Sequence, residues 1–196
     1  MSLPAPAPDR TAVVTGASGG IGAEIARQLA ARGHRVTLVA RSEDKLRELA
    51  DEITGNGGRA DVLPADLADR SARAELLDRV TELGATPEIL VNNAGFSTLG
   101  PVSRSDPDRE INMVEVDVVA VVDLCSRFLP GMVERGRGAL LNVASTAAFQ
   151  PLPGQAAYGA GKAFVLSYTQ SLAGELRGTG VTATTLCPGP VDTGFG

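Results

Sequence analysis

Thr11–Gly22 reads TAVVTGASGGIG. A short apolar run suited to a buried strand leads straight into four glycines at positions 16, 19, 20 and 22. Ala23–Arg32 then has helical spacing, with Ile25, Ala26, Leu29 and Ala30 on one face, and Gly33 ends it. The order is strand, glycine turn, helix. Such a turn must bend sharply and let its backbone approach a ligand closely, which glycine permits at little cost. The new helix points its free N–H groups and the positive end of its dipole at that ligand, so a phosphate is expected there. Gly16, Ser18, Gly19, Gly20, Ile21 and Gly22 are the candidate cradle residues. A glycine-rich turn alone is a weak signal; its place between strand and helix makes it a strong one.

Working outward, the same alternation repeats. Strands are predicted at Arg35–Ala40, Ala60–Pro64, Glu88–Val91, Ala139–Ala144 and Val181–Leu186. Helices are predicted over Glu43–Thr54, with Ser42 as N-cap, then Ser71–Leu83, about Arg109–Arg135, and Gln155–Arg177. Near-continuous apolar strands separated by helices imply a parallel sheet covered on both faces. The fold class is α/β, one doubly wound parallel sheet over residues 11–196, preceded by a flexible N-terminal arm at 1–10. The long helix carries Val116, Val118, Val119, Val121, Val122 and Leu124. A helix apolar nearly all round is buried on more than one side. One side is expected on the sheet and the other on a second copy, as a homodimer or homotetramer.

Composition excludes several functions. The chain has 196 residues, is 43% hydrophobic, and has a formal net charge of −5. That charge disfavours nucleic acid as a partner, and aromatics at 4% leave little for base stacking. No apolar run is long enough to span a membrane. The two cysteines, Cys125 and Cys187, lack metal-ligand spacing and read as buried free thiols. No metal is expected, and a reducing cytoplasm is the natural compartment. His34, the only histidine, reads as a surface residue.

Two further stretches carry chemistry. The second strand ends Val39-Ala40-Arg41-Ser42, without the acid that would bond an adenosine ribose hydroxyl. Arg41 can pair with a 2′-phosphate instead, and Ser42 can add a bond, so NADP(H) is favoured and NAD(H) is the alternative. Tyr158 and Lys162 lie four apart on one helix face. An ammonium beside a phenol favours phenolate, which makes Tyr158 a usable acid/base. Ser145 ends the fifth strand, at the carboxyl edge where such sheets bind ligands. Phe96, Leu99, Phe149, Leu152 and Pro153 flank the expected cleft.

Taken together, TGASGGIG at Thr15–Gly22, Asp66-Leu67, NNAG at Asn92–Gly95, Ser145, Tyr158-x-x-x-Lys162, and Pro188-Gly189 with Thr193 resemble the short-chain dehydrogenase/reductase family. The resemblance runs in order over essentially the whole chain and implies a Rossmann fold. It implies that Asp66 bonds the adenine amino group with Leu67 beside the ring, and that Asn93, Ala94 and Gly95 line the cofactor cleft. It further implies Tyr158 as acid/base, Lys162 on the nicotinamide ribose hydroxyls, and Ser145 orienting the substrate oxygen. Pro188 and Gly189 would pack near the nicotinamide, Val191 would meet its carboxamide, and Thr193 the carboxamide or pyrophosphate. The implied activity is hydride transfer between NADP(H) and a small carbonyl or alcohol, without a metal.

Two departures from the family pattern stand out. Asp117 occupies the place where many members have asparagine, and retuned proton transfer is expected. The chain also stops short of the lid, last strand and last helix that members usually carry. Two alternatives follow: a non-catalytic nucleotide-binding sensor or scaffold, and an incomplete fragment.

Overall fold

The computed structural model describes residues 3–190, so Val191 and Thr193 lie outside the described residues. Six strands form one parallel sheet: β1 (Arg10–Thr15), β2 (Arg35–Ala40), β3 (Arg59–Pro64), β4 (Thr86–Asn92), β5 (Gly138–Val143) and β6 (Val181–Leu186). Their order is β3-β2-β1-β4-β5-β6, so the chain reverses direction across the sheet between β1 and β4. Helices α1 (Gly20–Ala31), α2 (Glu43–Gly55), α3 (Arg70–Glu82), α4 (Pro107–Val114), α5 (Ala120–Glu134) and α6 (Ala156–Glu175) make the crossovers.

Strand alternation explains why each strand reads apolar throughout. Along β1, Ala12 and Val14 pack in the cluster that holds α1 and α2, while Val13 packs in the cluster that holds α3, α5 and α6. Both side-chain sets are therefore buried, as a doubly covered parallel sheet requires. Fully burying one leucine contributes about 1.5–3 kcal/mol, and Leu38, Leu76, Leu90 and Leu140 are all buried at 2% exposure or less.

Side-chain caps set the start of two helices. Asp69 caps α3 by accepting from Ser71 N–H, and Asp106 caps α4 by accepting from Asp108 N–H. Ser42, the predicted cap of α2, makes no side-chain cap bond. The Pro-rich stretch before β1 makes defined contacts. Pro8 O accepts from Arg59, and Asp9 O accepts from Thr86 N–H at 2.8 Å. Arg10 already belongs to β1, one residue earlier than its apolar run suggests.

His34 is buried rather than on the surface: the chain turns back so that its N–H bonds Leu29 O at 3.1 Å, and Pro6 of the N-terminal stretch lies against the neighbouring Gly33. Burial lowers its pKa and Arg32 adds to this, against the pull of Glu88. The long apolar helix packs on the sheet, on α3 and, through Val118, on α6, and is unevenly covered. Val121 and Leu124 are buried, Val116, Val118 and Val122 are half-buried, and Val119 is exposed. Cys125 is buried and Cys187 half-buried, and both are free thiols. Among the described residues no helix is long and apolar enough to cross a membrane, and no group of three metal-ligating side chains occurs.

Candidate active site

The carboxyl ends of β1 to β5 open onto one cleft of about 1140 Å³. It lies at the reversal between β1 and β4, where open α/β sheets bind ligands. Gly16, Ser18, Gly19, Gly20, Ile21, Arg41, Ser42, Asp66, Leu67, Asn93, Ala94, Gly95, Ser145, Tyr158, Lys162, Pro188 and Gly189 all line it. Gly22 and Asp117 do not reach its wall; each acts from behind a residue that does.

The glycine turn shows why those positions are glycine. Gly16 has a left-handed φ of 64°, and a Cβ there would lie 2.8 Å from Ala94 Cα. A Cβ at Gly22 would lie 2.4 Å from Gly16 O and from Asn93 Nδ2. The turn is thus clamped from below by Asn93, whose Nδ2 donates to Thr15 O and Gly16 O at 3.1 and 3.2 Å. Thr15 Oγ1 accepts in turn from Asn93 N–H and Ala94 N–H at 2.9 and 3.0 Å. Gly19 faces the opposite way: nothing lies within 4 Å of a Cβ built there. Packed backbone on one side and open space at the start of α1 on the other suit a bound diphosphate.

Beyond β2, Arg41 and Ser42 are exposed on the cleft rim, and no acid of the described chain pairs with Arg41. Lys45, which sequence reasoning missed, lines the same end. Its signal was available: it stands in the first turn of α2, four positions past Arg41, and so shares that rim. On the next strand end, Asp66 is exposed in the cleft and its Oδ1 accepts from Ala68 N–H at 3.0 Å.

At the opposite end stand Ser145, Tyr158 and Lys162. Lys162 is buried, 5% exposed, and its Nζ lies 5.5 Å from the Tyr158 ring centroid. Nζ donates to Val143 O at 3.3 Å and pairs with Asp117 Oδ2 at 3.2 Å. Asp117 is itself 3% exposed. It sits in a π-helical turn, Glu115–Val119, where Ala120 N–H bonds Glu115 O five residues back. Asp117 Oδ1 accepts from Phe96 N–H at 3.0 Å. Oδ2 has the ion pair but no well-aligned hydrogen bond. Burial outweighs the attraction of Lys162 and the Phe96 N–H, so the Asp117 carboxyl is held above the usual carboxylate range.

Ser145 Oγ accepts from Ala147 N–H at 3.1 Å and lies 3.5 Å from Pro188 O. That ties the serine to the turn after β6. Across the mouth, Gln155 Nε2 donates to Ser97 Oγ at 2.6 Å and Gly100 N–H to Gly154 O at 2.8 Å, joining two loops. Neither bond is legible from spacing, because the partners lie 58 and 54 residues apart. Of the apolar residues expected around the cleft, Phe96 and Leu152 line it. Phe149 and Pro153 line a neighbouring shallow hollow, and Leu99 is 89% exposed.

The fold, the clamped glycine turn and the Ser–Tyr–Lys end belong together in one class, dinucleotide-binding oxidoreductases of the Rossmann type. The short chain dehydrogenase family model matches residues 10–196, and the chain belongs to that family. A short chain dehydrogenase from Pseudocercospora fijiensis is 40% identical over 206 residues, covering 100% of this chain and 66% of that protein. A very-long-chain 3-oxoacyl-CoA reductase from Anas platyrhynchos is 36% identical, covering 90% of this chain and 58% of that protein. The chain thus spans about two thirds or less of the length of these relatives. A solved metagenomic short-chain oxidoreductase in complex with NADP superposes with a TM-score of 0.88 at 38% identity, covering 93% of this chain and 83% of that one.

Proposed function

We propose that this chain is an NADP(H)-dependent oxidoreductase that moves hydride between the nicotinamide and a carbonyl or alcohol substrate. The observation that carries the reading is one cleft with a diphosphate cradle at one end and Ser145, Tyr158 and Lys162 at the other. Arg41 and Lys45, exposed at the adenosine end, favour a 2′-phosphate over a bare ribose. The NADP in the solved relative supports the same cofactor.

A bound nicotinamide supplies or takes the hydride at the substrate carbon. The chain's own residues handle orientation and the proton. Ser145, held by Ala147 N–H, orients the substrate oxygen. Tyr158 donates a proton to that oxygen in reduction and accepts it in oxidation. Lys162 has three N–H donors. Val143 O and Asp117 hold it from behind, and its remaining donor capacity serves the ribose hydroxyls and Tyr158. Asp66 and Leu67 receive the adenine. Val191 and Thr193 complete the nicotinamide end in this reading.

A second copy covering exposed Ile111 and Val119 on the long helix and Phe164 on α6 is part of the proposal, as is a cytoplasmic location consistent with two free thiols. Fluorescence titration with NADPH and NADH, followed by turnover on a panel of ketones, tests the function. Binding without turnover on any ketone or alcohol would replace it with a nucleotide-binding module.

A further inference from the structure

Arg73 is a buried cation that the reaction does not use. It is 3% exposed, on the first turns of α3, and it faces the loop after β3 rather than the cleft. Its Nη1 donates to Leu67 O at 2.7 Å and to Ala68 O at 3.1 Å. The same nitrogen lies 3.2 Å from Glu115 Oε2, and Nε donates to Asp123 Oδ2 at 3.0 Å. Asp123 also accepts from Arg127 at 2.7 Å. An arginine this buried is kept only where its donors are matched, and here two carbonyls and two acids match them.

The position of the Leu67 carbonyl matters. The Leu67 C=O and the Ala68 N–H belong to one peptide unit, which is planar and rigid. On one edge of that plane the oxygen accepts from Arg73; on the other edge the N–H donates to Asp66 Oδ1. A cationic donor on a carbonyl polarises its amide and strengthens the N–H on the far side. The Asp66 carboxylate, exposed in the cleft, is therefore aimed through a single plane by a cation that never touches the cleft.

We propose that Arg73 is a positioning residue for cofactor binding: through the Leu67–Ala68 peptide it orients the Asp66 carboxylate toward the adenine end of the dinucleotide. This rests on the cofactor reading above. Glu115 and Asp123 hold the guanidinium from the helix side, so α5 and the π turn before it serve as the fixed wall against which the adenine loop is set.

The test uses Arg73→Met and Arg73→Lys in the full chain, with Asp66→Ala and the double variant Asp66→Ala/Arg73→Met. In the cofactor-free protein, Ala68 amide hydrogen exchange is expected to speed about tenfold in Arg73→Met, with β1 and β6 amides unchanged. The NADPH dissociation constant is expected to rise about five- to tenfold, the size of one well-placed hydrogen bond. Binding of reduced nicotinamide mononucleotide, which lacks the adenylate half, is expected to stay unchanged, and kcat at saturating NADPH within about twofold. Arg73→Lys, with one donor group that reaches Leu67 O, is expected to lose less, and it carries the test if the methionine variant does not fold. The double variant should bind NADPH no worse than Asp66→Ala alone. Unchanged Ala68 exchange overturns the proposal, as do equal losses for both cofactors or additive losses in the double variant. Failure of the wild-type chain to bind NADPH or NADH overturns the cofactor reading instead, and the Ala68 exchange still decides whether Arg73 sets Asp66.

Discussion

The cleft has a cation at each end, and the two ends are built on opposite principles. Arg41 and Lys45 are exposed on the rim beyond β2, free of acid partners among the described residues. Lys162 is buried at the end that holds Ser145 and Tyr158, fixed by Asp117 and Val143 O. A solvated cation costs nothing to keep and interacts weakly with anything more than a Debye length away. It recognises a charged ligand by direct contact and tolerates replacement. A buried cation must have its partner in place before the ligand arrives, and the partner must itself be desolvated. Recognition can therefore drift at the rim by single substitutions, while the buried end changes only as a unit.

The sharpest break in this comparison is chemical. Tyr158→Phe keeps the ring beside Lys162 and removes the proton. Turnover should fall by a factor of about 10²–10⁴ while NADPH binding holds within a few fold, read by fluorescence titration and initial rates. Equal loss of binding would show that the phenol mainly shapes the cofactor site. Next in size is Lys162→Met, which leaves the Asp117 carboxylate buried without its cation. Breaking one partner of a buried pair costs about 3–5 kcal/mol, seen as a lowered urea midpoint. By contrast Arg41→Ala and Lys45→Ala should leave that midpoint unchanged. Each should weaken NADPH about tenfold and NADH hardly at all, because only a 2′-phosphate makes a charge-assisted bond there.

Asp117→Asn sharpens the contrast with the smallest change. Its kcat is expected to stay equal or rise; a large drop would mean that the carboxylate itself takes part in proton transfer. Stability carries a sign as well. The folded-state pKa of Asp117 is raised by burial, against Lys162. A raised value means that the site's contribution to stability is fully present below the unfolded pKa, about 3.9, and is lost as pH rises through the folded one. By urea denaturation, the stability difference between the asparagine variant and wild type should thus shift toward the variant as pH rises above about 4. A constant gap would show that Lys162 fully compensates the buried charge. The thiols give the mildest readout. Burial pushes Cys125 up to about 11, so a thiol reagent at pH 8 should label half-buried Cys187 and spare Cys125 in the native chain.

Much of the fold was legible because its signals are local. Strand alternation, the glycine turn and the Tyr158–Lys162 spacing all act within a few residues, and the strands fell within two residues of their expected ends. Asp117 stands out in the sequence as a departure, but no periodicity announces the π turn that carries it or the 3.2 Å distance to Lys162. Lys45 was passed over because an exposed lysine in a first helical turn looks like any solvated residue. His34 was misplaced for the opposite reason. A polar residue at a helix–strand junction usually faces water, and here the turn back onto Leu29 O buries His34 while residues 31–33 stay exposed.

The amino-acid order alone determined a doubly wound α/β chain with a glycine turn, and Tyr158 and Lys162 on one helix face, because those properties follow from short-range periodicity and backbone freedom. Packing decided the rest. The reversal between β1 and β4 opens the cleft, Asn93 clamps the turn 77 residues away, and Lys162 acquires a buried carboxylate 45 residues distant. Those contacts join distant segments, and their strength comes from exclusion of water, a property no residue has until the chain around it has closed.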